Sequence, residues 1–230
     1  MRSVSSAEVA PVRAARPRAP RRVDWTLVAM KTAVWLAALA PFALLVWDGL
    51  GDGLGAEPIE EVTHRTGKTA LVLLLCSLAV TPLRRRTGWN GAVRFRRLLG
   101  LFAFFYACLH LATYLFDQEF LPEYIVEDVV EHPYVTAGFT AFLLLVPLAL
   151  TSTQGMIRRL GKRWLKLHRL VYAAAALAVL HFVWLVKKDL TEPLVYAAVL
   201  ALLLAFRLPM LSGRRKRPPR ARPAPPAPAG

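Results

Sequence analysis

LHRLVYAAAALAVLHFVWL, residues 167–185, is almost wholly apolar, yet a histidine stands near each end, His168 and His181. Crossing the hydrocarbon takes about 20 apolar residues. An ionisable side chain inside such a run is costly and is retained for a function. The run therefore raises two questions, how many more like it the chain holds and what the imidazoles bind.

Five further blocks are nearly free of charge, at 25–47, 67–83, 98–116, 134–150 and 191–208, beside one at 165–186. Hydrophobic residues make up 56% of the 230, and they fall in blocks, not at the spacing of a soluble amphipathic fold. Strands of alternating polarity are missing, which excludes an outer-membrane barrel. The expected fold is all-α, a polytopic membrane bundle of six transmembrane helices, the second, fourth and sixth of them short.

The net charge of +15 suggests nucleic acid at first. Its distribution excludes that. Thirteen of the fifteen acids lie in three connections, at 48–61, 117–131 and 189–192, while Arg and Lys cluster at the N-terminus, at 84–97, at 158–169 and in the tail from Arg207. The two signs alternate in register with six spans. Because Lys and Arg are retained on the cytoplasmic side, both termini are expected in the cytoplasm of a bacterial inner membrane. Residues 1–24 read as a disordered Arg/Pro-rich cytoplasmic segment, 25–208 as the six-helix domain, and 209–230 as a disordered basic tail. The apolar run continues past Ala38-Leu39-Ala40 into Pro41, so the first span reads as a retained helix, not a cleaved signal. Cys76 and Cys108 fall inside spans, without a second cysteine at ligand spacing, and read as packing residues. No internal repeat is evident.

His110 lies six residues before the end of the third span and His181 five before the end of the fifth. Both spans run toward the periplasm. The two rings are therefore expected at one depth, about 8–9 Å inside that boundary at 1.5 Å per residue. Two imidazoles at equal depth on separate helices are what a bis-histidine haem requires, one axial nitrogen from each side of the porphyrin. Phe102, Phe105, Tyr106, Phe182 and Trp184 are the aromatics expected to line it. Zinc or copper would want a third or fourth ligand nearby, and a proton relay would want carboxylates in the spans.

The other histidines are less decisive. His168 sits thirteen residues before His181, about 20 Å lower at the cytoplasmic edge. It reads equally as a headgroup-level side chain and as a ligand of a second haem. Arg97 holds the matching position on the third span and cannot ligate iron, so it is kept only as a residue beside the cofactor. His64, placed just outside the second span, is a candidate at the haem edge or as an alternative ligand. Arg65, with Lys68, Lys187 and Lys188, is at a level to meet haem propionates. His132, before Pro133, reads as structural.

RFRRLLGLFAFFYACLHLATYL at 94–115, then HPYVTAGFTAFLLLVPLALTSTQGMIRRLGKRWLKLHRLVYAAAALAVLHFVWL at 132–185, resemble the MsrQ (YedZ) family. These are the haem-binding membrane subunits of the bacterial protein-methionine-sulfoxide reductase system, within the ferric-reductase-like transmembrane superfamily. The likeness covers roughly 25–208 and not the Arg/Pro-rich ends. It implies haem b, with His110, His168 and His181 at the family's histidine positions. It also implies a periplasmic molybdopterin-dependent methionine-sulfoxide reductase as partner, and FMN, with quinone or a cytoplasmic flavin reductase as electron source.

With no GxGxxG after a strand, the chain is expected to relay electrons as a subunit of an oxidoreductase and not to act on the final substrate. Alternatives are a quinol-oxidising cytochrome b or ferric-reductase-type subunit for another acceptor, and, outside redox chemistry, a small transporter. The transporter would want broken helices or midplane charges. Pro41, Pro82 and Pro147 offer only kinks.

Overall fold

A computed structural model describes residues 25–207 except Asp52 and Lys187; the two Arg/Pro-rich ends lie outside the described residues. The described chain is helical throughout: α1 (Trp25–Leu50), α2 (Pro58–Thr87), a 3-10 turn (Asn90–Ala92), α3 (Val93–Asp117), α4 (Pro122–Glu131), α5 (Pro133–Leu150), α6 (Gln154–Leu160), α7 (Lys162–Leu167), α8 (Leu170–Leu185) and α9 (Thr191–Ala205). Five stretches are long and apolar enough to cross a membrane, at Trp25–Leu50, Pro58–Thr87, Asn90–Asp117, Pro133–Leu150 and Lys162–Leu185; α9 is apolar but has only 15 residues. A multi-pass membrane bundle is therefore the fold. The long connections with acidic residues gather at one end and the basic ones at the other.

The second span is longer than its apolar block. α2 runs 30 residues, because its polar ends are helix-compatible at both termini. Pro58 sits in the first turn with Glu60 and Glu61, Arg84 to Arg86 occupy the last, and Gly88 closes the helix at φ 71° with its N–H on the Arg84 carbonyl. Pro at the start, acids at the positive pole, bases at the negative pole and glycine in the left-handed region are the favoured terminal residues. His64 and Arg65 thus stand on a helix, not in a loop.

The core lies between α2, α5, α8 and α9: Leu71, Leu74, Leu75 and Leu78 meet Leu145, Leu148, Val179, Leu200 and Leu203. Ala174 and Ala175 are wholly buried on α8. Small side chains let helices approach closely where lipid supplies no hydrophobic drive. Two antiparallel pairs, α2 with α3 and α5 with α8, form the body. α9 is tied to it at the acidic end by a Lys68–Glu192 ion pair.

α1 attaches differently. Pro41 interrupts its hydrogen-bond ladder, as a residue without N–H must. The buried Tyr106 of α3 enters the gap: its hydroxyl accepts from the Phe42 N–H at 3.0 Å and donates to the Ala38 carbonyl at 2.7 Å. One side chain thereby replaces a rung of another helix. Edge-on contacts of Trp35 with Phe102 and Phe42 with Phe105 flank it. Tyr106→Phe is expected to strip both bonds and lower stability by about 1–3 kcal/mol, seen as a lower thermal midpoint of the detergent-solubilised chain. An unchanged midpoint would remove Tyr106 as the attachment of α1.

Candidate functional site: a facing pair of histidines

His110 on α3 and His181 on α8 meet inside the bundle, their ring centroids 6.1 Å apart and their planes at 75°. Each ring is fixed by the helix paired with its own. His110 Nδ1 donates to the Thr63 carbonyl of α2 at 2.9 Å. His181 Nδ1 donates to the Tyr134 carbonyl of α5 at 2.7 Å. A carbonyl can only accept, so both rings carry their proton on Nδ1 and keep the Nε2 lone pair free. A metal-ligating imidazole almost always has its second nitrogen bound in this way, which sets tautomer, orientation and basicity.

A glycine makes room for each ring. A Cβ at Gly67 would stand 2.9 Å from His110 ring atoms, and one at Gly138 would stand 2.9 Å from His181 Nδ1. Both glycines lie one turn beyond the accepting carbonyl, so each imidazole rests against a bare turn of the neighbouring helix. The two halves correspond. Thr63, Gly67 and His110 recur as Tyr134, Gly138 and His181, each 71 residues later, and GKTA at 67–70 matches GFTA at 138–141. The internal repeat that was not evident in the sequence is this one. It is carried by a few positions that matter only once the pairs α2–α3 and α5–α8 are seen side by side.

Two metal–imidazole bonds of about 2 Å in line, with about 1 Å more from each nitrogen to its ring centre, put such centroids about 6 Å apart. The observed spacing fits one ion between the rings. Two imidazole donors without a third ligand would suit an iron that a porphyrin also holds. Among the described residues there is no group of three or more His, Cys, Asp or Glu able to hold a bare metal ion. The donor set therefore fits haem and not zinc.

The remaining candidates fall elsewhere. Arg65 spends Nε on Glu61 at 2.6 Å and Nη1 on Asp48 at 2.5 Å, and Lys68 is paired with Glu192. These cations hold the acidic connections together. His64 is exposed on α2, 3.6 Å from Glu60. His132 bonds Asp128 at 2.8 Å between α4 and α5, and Lys187 lies outside the described residues. Of the aromatic wall, Phe102, Phe105 and Tyr106 turn to α1, Phe182 packs on Tyr196 of α9 at 5.8 Å, and Trp184 is exposed. The ring beside the pair is Tyr134, 6.1 Å from His181.

His168 closes α7 just before α8. Its ring stacks on Trp164 at 3.8 Å, its Nδ1 bonds the Trp164 carbonyl at 3.2 Å, and its Nε2 is buried without a hydrogen bond. The Leu148 carbonyl is near enough to act on the ring, but it already accepts from Ser152. Arg97 is exposed; Arg96 is the arginine on the inner side near His168.

A family model described as ferric reductase like transmembrane component matches residues 66–179. A protein-methionine-sulfoxide reductase heme-binding subunit MsrQ of Xanthomonas euvesicatoria pv. vesicatoria (strain 85-10) is 52% identical over 215 residues, covering 90% of this chain and 99% of the relative. The MsrQ of Xanthomonas campestris pv. campestris (strain 8004) is 53% identical, covering 88% and 97%. That of Herminiimonas arsenicoxydans is 50% identical, covering 79% and 85%.

Gly67→Ala and Gly138→Ala are each expected to push the adjacent imidazole out of line and to lower the metal bound per purified chain by at least about tenfold in affinity, the scale of losing a partner of a ligating histidine. Gly155→Ala, whose Cβ meets nothing within 4 Å, serves as the control. Full retention of metal in both variants would contradict the cradle.

Proposed function

The chain belongs to the MsrQ family of haem-binding subunits, with its ferric-reductase-like transmembrane component, and from that premise we propose that it is a membrane haem b electron-transfer subunit. Electrons enter from a cytoplasmic flavin reductase or the quinone pool and leave to a periplasmic molybdopterin-dependent methionine-sulfoxide reductase, which repairs oxidised envelope proteins. The single observation that carries the reading is the His110–His181 pair, 6.1 Å between centroids with both Nδ1 atoms bound to carbonyls.

When bound there, haem supplies a one-electron couple. The chain's own residues do the rest. His110 and His181 would hold the haem through their neutral nitrogens. Thr63 and Tyr134 hold the rings through their carbonyls, which would make each imidazole a stronger donor to a bound metal. The apolar helices keep water from the centre and so tune its potential. In the proposed orientation the basic end faces the cytoplasm of the bacterial inner membrane, residues 25–208 form the membrane domain, and 1–24 and 209–230 are cytoplasmic. The pair then lies toward the periplasmic side, near the acceptor. Tyr134 and His132, with rings 5.4 Å apart, extend from His181 toward that surface.

One haem is proposed at this pair. A second, at His168, would rest on its unbonded Nε2 and on a partner other than imidazole, since among the described residues no other histidine faces it. FMN enters the proposal on family resemblance alone.

Absorption spectra of the purified chain before and after dithionite test the reading. A low-spin haem b spectrum is expected, and His110→Ala and His181→Ala are each expected to abolish most of it. Full haem with an unaltered spectrum in either variant would contradict the pair. His168→Ala is expected to keep the signal of this site; loss of about half the haem would place a second one at His168.

A further inference from the structure

From Asp117 to Glu131 the chain holds six carboxylates and no lysine or arginine. The other acidic connections are partly neutralised, Asp48 and Glu61 by Arg65 and Glu192 by Lys68. In this one, among the described residues, only the Asp128 carboxylate has a partner. It accepts from the Tyr114 hydroxyl of α3 at 2.6 Å and bonds His132 Nδ1 at 2.8 Å. Asp117, Glu119, Glu123, Glu127 and Glu131 are exposed.

The same segment exposes apolar side chains. Phe120 is 61% exposed, Val126 62% and Val130 77%, with Leu121 and Tyr124 beside them. They lie between the stretch that ends at Asp117 and the one that begins at Pro133, outside what hydrocarbon covers. At about 100° per residue, Glu123, Glu127 and Glu131 stack in one strip of α4, and Val126 and Val130 in the strip next to it. The Asp128 bonds, and one from the Thr136 hydroxyl to the Val129 carbonyl at 2.6 Å, pin the opposite face to α3 and α5. Both strips therefore point away from the bundle.

Few neighbours suit an apolar patch edged by carboxylates. Helices that rest on anionic lipid carry Lys and Arg on their polar face, and headgroup charge repels this one. A second copy brings the same carboxylates and is repelled likewise. A protein face with an apolar centre and a rim of Lys and Arg meets both strips at once. The helix also stands beside the way out of the histidine pair. His132, bonded to Asp128, has its ring 5.4 Å from that of Tyr134, which lies 6.1 Å from His181.

We propose that residues 120–131, α4 and the turn before it, are the docking surface for a water-soluble electron acceptor with a basic, apolar-centred face. The role of the partner as acceptor rests on the relay proposed above; the surface and its chemistry do not.

Binding to the full chain in phosphatidylcholine nanodiscs, followed by biolayer interferometry, tests it. Two soluble proteins are compared, the molybdopterin-dependent reductase of the proposed function and mitochondrial cytochrome c, a lysine-rich carrier used as a probe of the acidic face. Glu123→Lys combined with Glu127→Lys is expected to weaken reductase binding at least about tenfold and to flatten its salt dependence. Val130→Ser, which leaves the charge alone, is expected to weaken it at least about fourfold, the scale of one buried methylene. Glu60→Lys, the same charge change on α2, is expected to stay within about twofold of the parent. Haem absorbance is expected to be unaltered in all of them. If the reductase does not bind the parent but cytochrome c binds with this pattern, the surface stands and the choice of acceptor falls. Equal reductase binding by parent and variants, an equal loss in Glu60→Lys, or no binding of either protein would overturn the surface. So would burial of α4 in lipid, read as a blue shift of a bimane label at Val130→Cys, with Cys76→Ala and Cys108→Ala, when phosphatidylglycerol alone is added.

Discussion

Two hydrogen bonds set what this bundle can do. In each, a histidine Nδ1–H is spent on a backbone carbonyl of the next helix, at 2.9 Å from His110 to Thr63 and 2.7 Å from His181 to Tyr134. A buried imidazole has two nitrogens to satisfy. Fixing one by a carbonyl decides the tautomer and leaves the other as a lone pair with a defined direction. Because both rings are fixed so, their centroids stand 6.1 Å apart, a spacing that fits one coordinated ion between them. Each carbonyl belongs to a helix, so ring position follows from packing of α2 on α3 and of α5 on α8. Gly67 and Gly138 are the condition for that approach.

The remaining architecture serves the two pairs. Their cores interlock through leucines and the bare surface of Ala174 and Ala175. α9 is held by apolar contact and the Lys68–Glu192 pair, and α1 by the hydroxyl of Tyr106 placed where Pro41 opened the ladder. The acids and bases are separated end to end. At the acidic end, opposite charges neutralise one another, as Arg65 does between Asp48 and Glu61. At the basic end no carboxylate among the described residues plays that part for Arg207, which is met by the Tyr172 hydroxyl and the Leu78 carbonyl.

The membrane bundle was legible in the sequence because apolar run length and charge alternation are coarse signals that agree. The meeting of His110 and His181 was legible for a related reason: counting residues from span ends fixes depth on any straight helix. What holds the rings was not legible. A backbone carbonyl that accepts from a histidine has no side-chain signature, so Thr63 and Tyr134 could not be singled out. Gly67 and Gly138 were visible as letters, but only the 71-residue recurrence of GKTA and GFTA ahead of each histidine marks them. Helix phase was lost as well. Matching by depth alone put Arg97 opposite His168, whereas the rotation of α3 turns Arg96 inward and leaves Arg97 exposed. The polar first turns of α2 hid its length, and with it the helical setting of His64 and Arg65.

The central claim is that His110 and His181 grip one iron with crossed imidazole planes. Electron paramagnetic resonance of the oxidised, purified chain tests this most directly, because the ferric low-spin signal reports both the axial ligands and the angle between their rings. The 75° between the planes calls for a strongly anisotropic low-spin signal that vanishes when either histidine is replaced. A high-spin signal, or the rhombic signal of parallel imidazoles, would contradict it.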